Sequence, residues 1–114
     1  MSARVIILLI TTAFILLDLV TGLIKAFKQK EYSSSVMREG LFHKIGSGIC
    51  VGLGLLGDFA QKYIDIGVEI PLTVTICAYI ILMEVGSIIE NACIINPNLM
   101  NSKLKSFFKK LSKE

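Results

Sequence analysis

The stretch VIILLITTAFILLDLVTGLI, residues 5–24, decides how the rest of the chain is read. From Val5 to Leu17 its only polar side chains are Thr11 and Thr12; Asp18 then interrupts, and Leu19–Ile24 resumes the apolar run. About 20 such residues, rising 1.5 Å each, match the roughly 30 Å hydrocarbon core of a bilayer. A charged group near mid-bilayer costs at least about 2.5–3.5 kcal/mol, so the stretch spans only if something offsets Asp18. A signal peptide is the competing reading, with Met1–Arg4 as its charged start. Asp18, Leu19 and Val20 follow the apolar core with no small-residue cleavage site, which favours a retained span.

Working outward, two more apolar blocks appear, at about 45–64 and 70–89. The first of these is dense in glycine, with Gly46, Gly48, Gly52, Gly54 and Gly57. Gly48 and Gly52 form a small-xxx-small pair that lets helices approach closely, and Gly54 continues the theme. Pro71 opens the last block, Glu84 interrupts it, and Asn96-Pro97-Asn98 follows. The chain has 114 residues, 54% hydrophobic and only 18% charged, with a mean hydropathy of +0.71; an average soluble domain is about 25% charged. These figures exclude disorder and a disulfide mini-domain and argue against a compact soluble enzyme. The expected fold is therefore all-α: one membrane domain over 1–114, three transmembrane helices, an amphipathic interfacial segment at about 33–44 and a basic amphipathic tail over 97–114. Cys50, Cys77 and Cys93 are isolated in apolar surroundings and read as small space-filling groups, not as a metal or redox site. No Ser-His-Asp set, phosphate-binding glycine loop or metal cluster is present, so neither catalysis nor a cofactor is expected, and the lone His43 reads as a surface residue.

The charges between the blocks set the topology. Lys25, Lys28, Lys30, Arg38 and Lys44 lie in the first connection, Lys62 alone in the second, and Lys103, Lys105, Lys109, Lys110 and Lys113 in the tail. The positive-inside rule puts the N-terminus out and the C-terminus in, with Arg4 the single dissenter. In the tail, Leu104, Phe107, Phe108 and Leu111 follow i, i+3, i+4, i+7 spacing behind Ser102 as N-cap. Such a helix lies on an anionic leaflet, each lysine contributing about 1 kcal/mol. With spans next door, nucleic acid is not an expected partner.

Asp18, Asp58 and Glu84 all fall inside the spans. At 1.5 Å per residue, Asp18 and Glu84 each sit about 6 Å to the cytoplasmic side of mid-helix and Asp58 about 5 Å to the other side. The first two acids can thus meet at one level. Each belongs to a polar stripe: Thr11, Asp18, Gly22 and Lys25 in the first helix; Gly54, Asp58 and Gln61 in the second; Thr73, Cys77, Glu84, Ser87 and Asn91 in the third. Helices with one polar face either pack those faces together or line water. In the dry alternative, Lys25 pairs with Asp18 and Ser87 with Glu84.

The run Leu17-Asp18-Leu19-Val20-Thr21-Gly22-Leu23-Ile24-Lys25-Ala26-Phe27-Lys28 resembles the first-helix signature of the phage lysis and toxin-secretion holins. Tyr32-Ser33-Ser34-Ser35, Gly40-Leu41-Phe42-His43-Lys44 and Glu84-Val85-Gly86-Ser87-Ile88-Ile89-Glu90-Asn91 are similar to later motifs of that family, in the same order, and Pro97 to its later proline. The glycine-dense second span and the short tail depart from it. The resemblance implies a non-enzyme that homo-oligomerises in the inner membrane and opens lesions through which an endolysin or a large toxin passes. Under that expectation Thr11, Asp18, Asp58, Thr73, Glu84, Ser87 and Asn91 face a pore, while Gly22, Gly48, Gly52 and Gly54 pack helices. Lys103, Lys105, Phe107, Phe108, Lys109 and Lys110 meet the membrane surface. A small proton-coupled exporter and a holin antagonist are the other readings; three spans and no Trp speak against the exporter.

Overall fold

The computed structural model describes residues 1–31, 33–67, 69–99, 106, 109 and 110. It contains three long helices, α1 (Ala3–Gln29), α2 (Ser34–Gln61) and α3 (Leu72–Ile95), and a 3-10 turn at Pro97–Leu99. All three helices are long and apolar enough to cross a membrane. No strand occurs among the described residues.

The helix ends follow from local chemistry. The Ser2 hydroxyl accepts from the Val5 amide at 3.3 Å and starts α1. At the other end Lys30 takes the left-handed conformation at φ 57°. Its amide and that of Glu31 close back onto the carbonyls of Phe27 and Ala26, at 3.2 and 2.8 Å. This is a Schellman closure made without the usual glycine. The Ser33 hydroxyl accepts from Val36 at 3.2 Å and starts α2. No proline follows Ser33 before Pro71, so α2 continues unbroken. The segment expected at 33–44 and the block expected from 45 are therefore one 28-residue helix. It ends at Gln61, where the amides of Tyr63 and Ile64 fold back onto the Ala60 carbonyl at 3.0 and 2.9 Å.

The connections reverse the chain twice, so α1 and α3 run one way and α2 the other. The middle element is α3, which packs along both α1 and α2; those two barely pack on each other. At the α2–α3 contact, a Cβ on Gly54 would meet the Thr73 backbone at 3.1 Å, a separation that only glycine accommodates without displacing a helix. Gly48 and Gly52 lie on the exposed side of α2 instead, with nothing within 4 Å of a Cβ there. Within one chain they pack against nothing.

The core is inside out. Among the described residues four polar ones, Thr11, Thr73, Glu84 and Asn91, are buried beside three hydrophobic ones, Ala26, Cys77 and Ile80. Leu9, Leu16, Ile49, Leu53, Leu56, Tyr79 and Leu82 are all more than half exposed. In water that arrangement would forfeit the main driving force of folding. In lipid it is the low-energy one, because apolar side chains meet acyl tails and polar groups satisfy one another.

Candidate functional site

Three helices meet at one charged centre. Asp18 is offered by α1, Lys44 by α2 and Glu84 by α3. The Lys44 ammonium donates to Asp18 Oδ2 and, at 3.2 and 2.8 Å, to Glu84 Oε1 and Oε2. An ammonium has three donors, and here it meets three carboxylate oxygens. The second Asp18 oxygen accepts from Asn91 Nδ2 at 3.0 Å. The same amide group donates to Thr21 Oγ1 at 3.1 Å, and Gly22 lies beside it, where an added Cβ would make an ordinary van der Waals contact at 3.7 Å. Asp18, Lys44 and Glu84 are 13%, 17% and 6% exposed at the side chain, so the centre is largely withdrawn from its surroundings.

The electrostatics are unbalanced. Two carboxylates share one ammonium, leaving a formal −1 in a poorly solvated place. Such a cluster is a weak source of stability, because desolvating three ions offsets most of their attraction. It is a stronger source of specificity, since loss of Lys44 strands both acids. The sequence-based pairings are corrected here: Asp18 meets Lys44 and Asn91, not Lys25, and Glu84 meets Lys44, not Ser87.

A second charged centre lies at the opposite end of the bundle. Asp58 accepts the first free amides of α3, from Leu72 at 2.7 Å and Thr73 at 3.0 Å. Pro71 carries no capping side chain, so α2 supplies the anion that the positive end of α3 requires. Arg4 of α1 approaches Asp58 at 3.8 Å. A small cavity of about 140 Å³ lies beside them, lined by Ala3, Ile7 and Val74 among others. The Thr73 hydroxyl is buried there beside Asp58. At the other end of α3, Lys28 donates to the carbonyls of Ile94 and Ile95 at 2.8 and 2.9 Å. Both termini of the central helix are thus held by charged side chains of its neighbours.

Of the candidate polar residues, the structure joins Asp18, Glu84 and Asn91 and sets Asp58 and Thr73 apart at the far end. Thr11 is buried and donates to its own helix at Ile7 O, 2.8 Å away. Ser87 is exposed. At about 100° per residue it lies about 60° round the helix from Glu84, on the rim of the stripe. Lys103, Lys105, Phe107 and Phe108, with most of the expected basic tail, lie outside the described residues; Lys109 and Lys110 are helical and exposed. Lys44 is the member of this charged centre that the sequence reading missed. It counts there among the loop cations, yet two acids at one depth already require a cation from another helix.

No group of three or more His, Cys, Asp or Glu among the described residues could hold a metal ion. Comparison with curated proteins gives no match, and comparison with solved structures gives none either. A family model described as "Bacteriophage holin family" matches residues 3–113, a range that takes in all three helices and both charged centres. With three apolar helices closed around polar groups, and a match running nearly end to end, the chain belongs to the bacteriophage holin family.

Proposed function

We propose that the chain opens holes in the bacterial inner membrane through which an endolysin or a large toxin leaves the cytoplasm. The family is one of membrane pore formers and not of enzymes. One observation carries the proposal: the charged centre of Asp18, Lys44 and Glu84 sits inside three helices whose outer surfaces suit lipid. Buried ions tolerate two surroundings, each other or water. A bundle with its polar faces turned inward and an assembly with those faces turned to an aqueous lumen satisfy the same groups, and this makes the element bistable. Copies diffuse closed, with the N-terminus out and the C-terminus in, the basic tail resting on the anionic inner leaflet. Above a threshold density they homo-oligomerise and regroup so that Asp18 and Glu84, with Thr11, Thr73, Ser87 and Asn91, face water. Gly48 and Gly52, unpacked within the chain, are suited to contacts between copies.

The test is induction of the chain alone in bacteria, with membrane potential and release of a co-expressed cytoplasmic muralytic enzyme as readouts. Abrupt depolarisation with release is the expected result. Drug resistance without depolarisation identifies an exporter. No effect, together with protection of cells from another holin, identifies an antagonist.

A further inference from the structure

The contact between α1 and α2 is ionic rather than steric. These helices share almost no packing, yet a charge pair joins them at each end: Arg4 with Asp58, and Asp18 with Lys44. The spacing within each helix is the same. Fourteen positions separate Arg4 from Asp18, and fourteen separate Lys44 from Asp58, about 21 Å along either helix. Because the helices are antiparallel, the cation of each faces the acid of the other in a single register. Nothing in that register depends on the two helices belonging to one chain. All copies in a membrane sit at one depth with one orientation, so α1 of any copy presents its cation and acid at the levels where α2 of any other presents its acid and cation.

We infer that this α1–α2 charge register is the interface between copies: α1 of one molecule pairs with α2 of the next through Arg4–Asp58 and Asp18–Lys44, in place of the same pairs within each molecule. The inference rests on the hole-forming reading and identifies the partner surface for it. The exchange conserves the number of α1–α2 ion pairs, the feature that makes swapping an inexpensive route to assembly; its cost is part of the packing of α1 or α2 on α3. Each copy then offers α1 on one side and α2 on the other, so the contact is head-to-tail and propagates into rings or arcs of no fixed size. Opening α1 away from α2 also uncovers the α3 stripe of Thr73, Cys77, Glu84 and Asn91, which otherwise lies buried. Mass action favours the exchanged form as copies accumulate.

Two differently tagged chains test the interface, one carrying Asp18→Lys and the other Lys44→Glu. Each alone has like charges at this position in every α1–α2 pair, within and between copies. Together they restore opposite charges only between copies. After solubilisation of the membranes in mild detergent, each variant should capture its own kind at least about tenfold less than wild type, the equivalent of losing one good pair. The mixture should recover wild-type capture. Recovery only when both changes are placed in one chain, or no recovery at all, overturns the inference. A second measurement leaves every charge in place. Ile15→Cys in one copy and Ser47→Cys in another, each in a chain whose native cysteines are replaced, lie one turn from Asp18 and Lys44 on the same register. Oxidation should give a dimer containing both tags, and its absence counts against the interface. Both readouts score assembly and not release. A chain that pairs this way yet opens no hole refutes the hole-forming reading alone, and one that opens holes without this pairing refutes the interface alone.

Discussion

Lys44→Met should lower the stability of the closed bundle by about 3–5 kcal/mol, the usual cost of stranding buried charges by removing their partner. The substitution preserves the length and apolar stem of the side chain, so packing along α2 changes little. What it removes is the ammonium that both Asp18 and Glu84 share. Two carboxylates are then left face to face in a medium that solvates neither. The closed state suffers most: there both acids lose their shared cation, whereas in the assembly Glu84 faces water and only the Asp18 of the neighbouring copy loses a partner. Induced cells should therefore release enzyme earlier and at lower protein density, while detergent-solubilised protein unfolds at lower denaturant concentration. Lys44→Arg, which retains the charge, should change both readouts less. Adding Asp18→Leu and Glu84→Leu to Lys44→Met should restore stability, since a buried ion triad exchanged for apolar groups is often neutral or better. That triple variant should not open.

Glu84→Gln or Asp18→Asn should act in the opposite direction. Either change takes the formal −1 of the centre to zero and leaves one ammonium paired with one carboxylate. Neutral amides keep the shape and can still hydrogen-bond within the bundle, so insertion should be unaffected. In the assembled state the same change removes a charged group from the lumen. A charge-assisted hydrogen bond contributes about 1.5–3 kcal/mol against about 0.5–1.5 for a neutral one. The expected shift toward the closed form is about 1.4 kcal/mol, roughly tenfold in the equilibrium, seen as delayed or abolished lysis with a normal amount of protein in the membrane. Unchanged lysis in both variants would sink the acid-lined lumen, as would both shifting in the same direction as Lys44→Met.

The three helices were legible in the sequence because apolar runs of span length leave the chain few other folds. The meeting of Asp18 and Glu84 was legible too, from depth alone: two helices running the same way place both acids at one level. Lys44 was not, because the positive-inside rule assigns every cation near a span to a loop. The signal against that assignment is local. Ser33 is a good N-cap, and no breaker separates it from Lys44 or Lys44 from the apolar block, so the helix begins early enough to carry the lysine between its neighbours. The capping of α3 by Asp58 was hidden for another reason. It joins residues of different helices across a turn whose geometry no periodicity encodes. Ser87 marks the limit of stripe counting, since alternating steps of three and four can place a residue on the rim as readily as at the centre of a face.

In the proposed mechanism α3 keeps its polar stripe buried in the closed bundle and turns it to water when the hole opens. Cys77 is a native reporter of that change, lying on the stripe between Thr73 and Ile80 with 0% of its surface exposed. With Cys50 and Cys93 replaced by alanine, a charged, membrane-impermeant thiosulfonate reagent reports whether Cys77 is in contact with water, because only a hydrated thiolate reacts efficiently. No modification is expected before depolarisation, and extensive modification after it. Holes that open while Cys77 stays unmodified would contradict the mechanism.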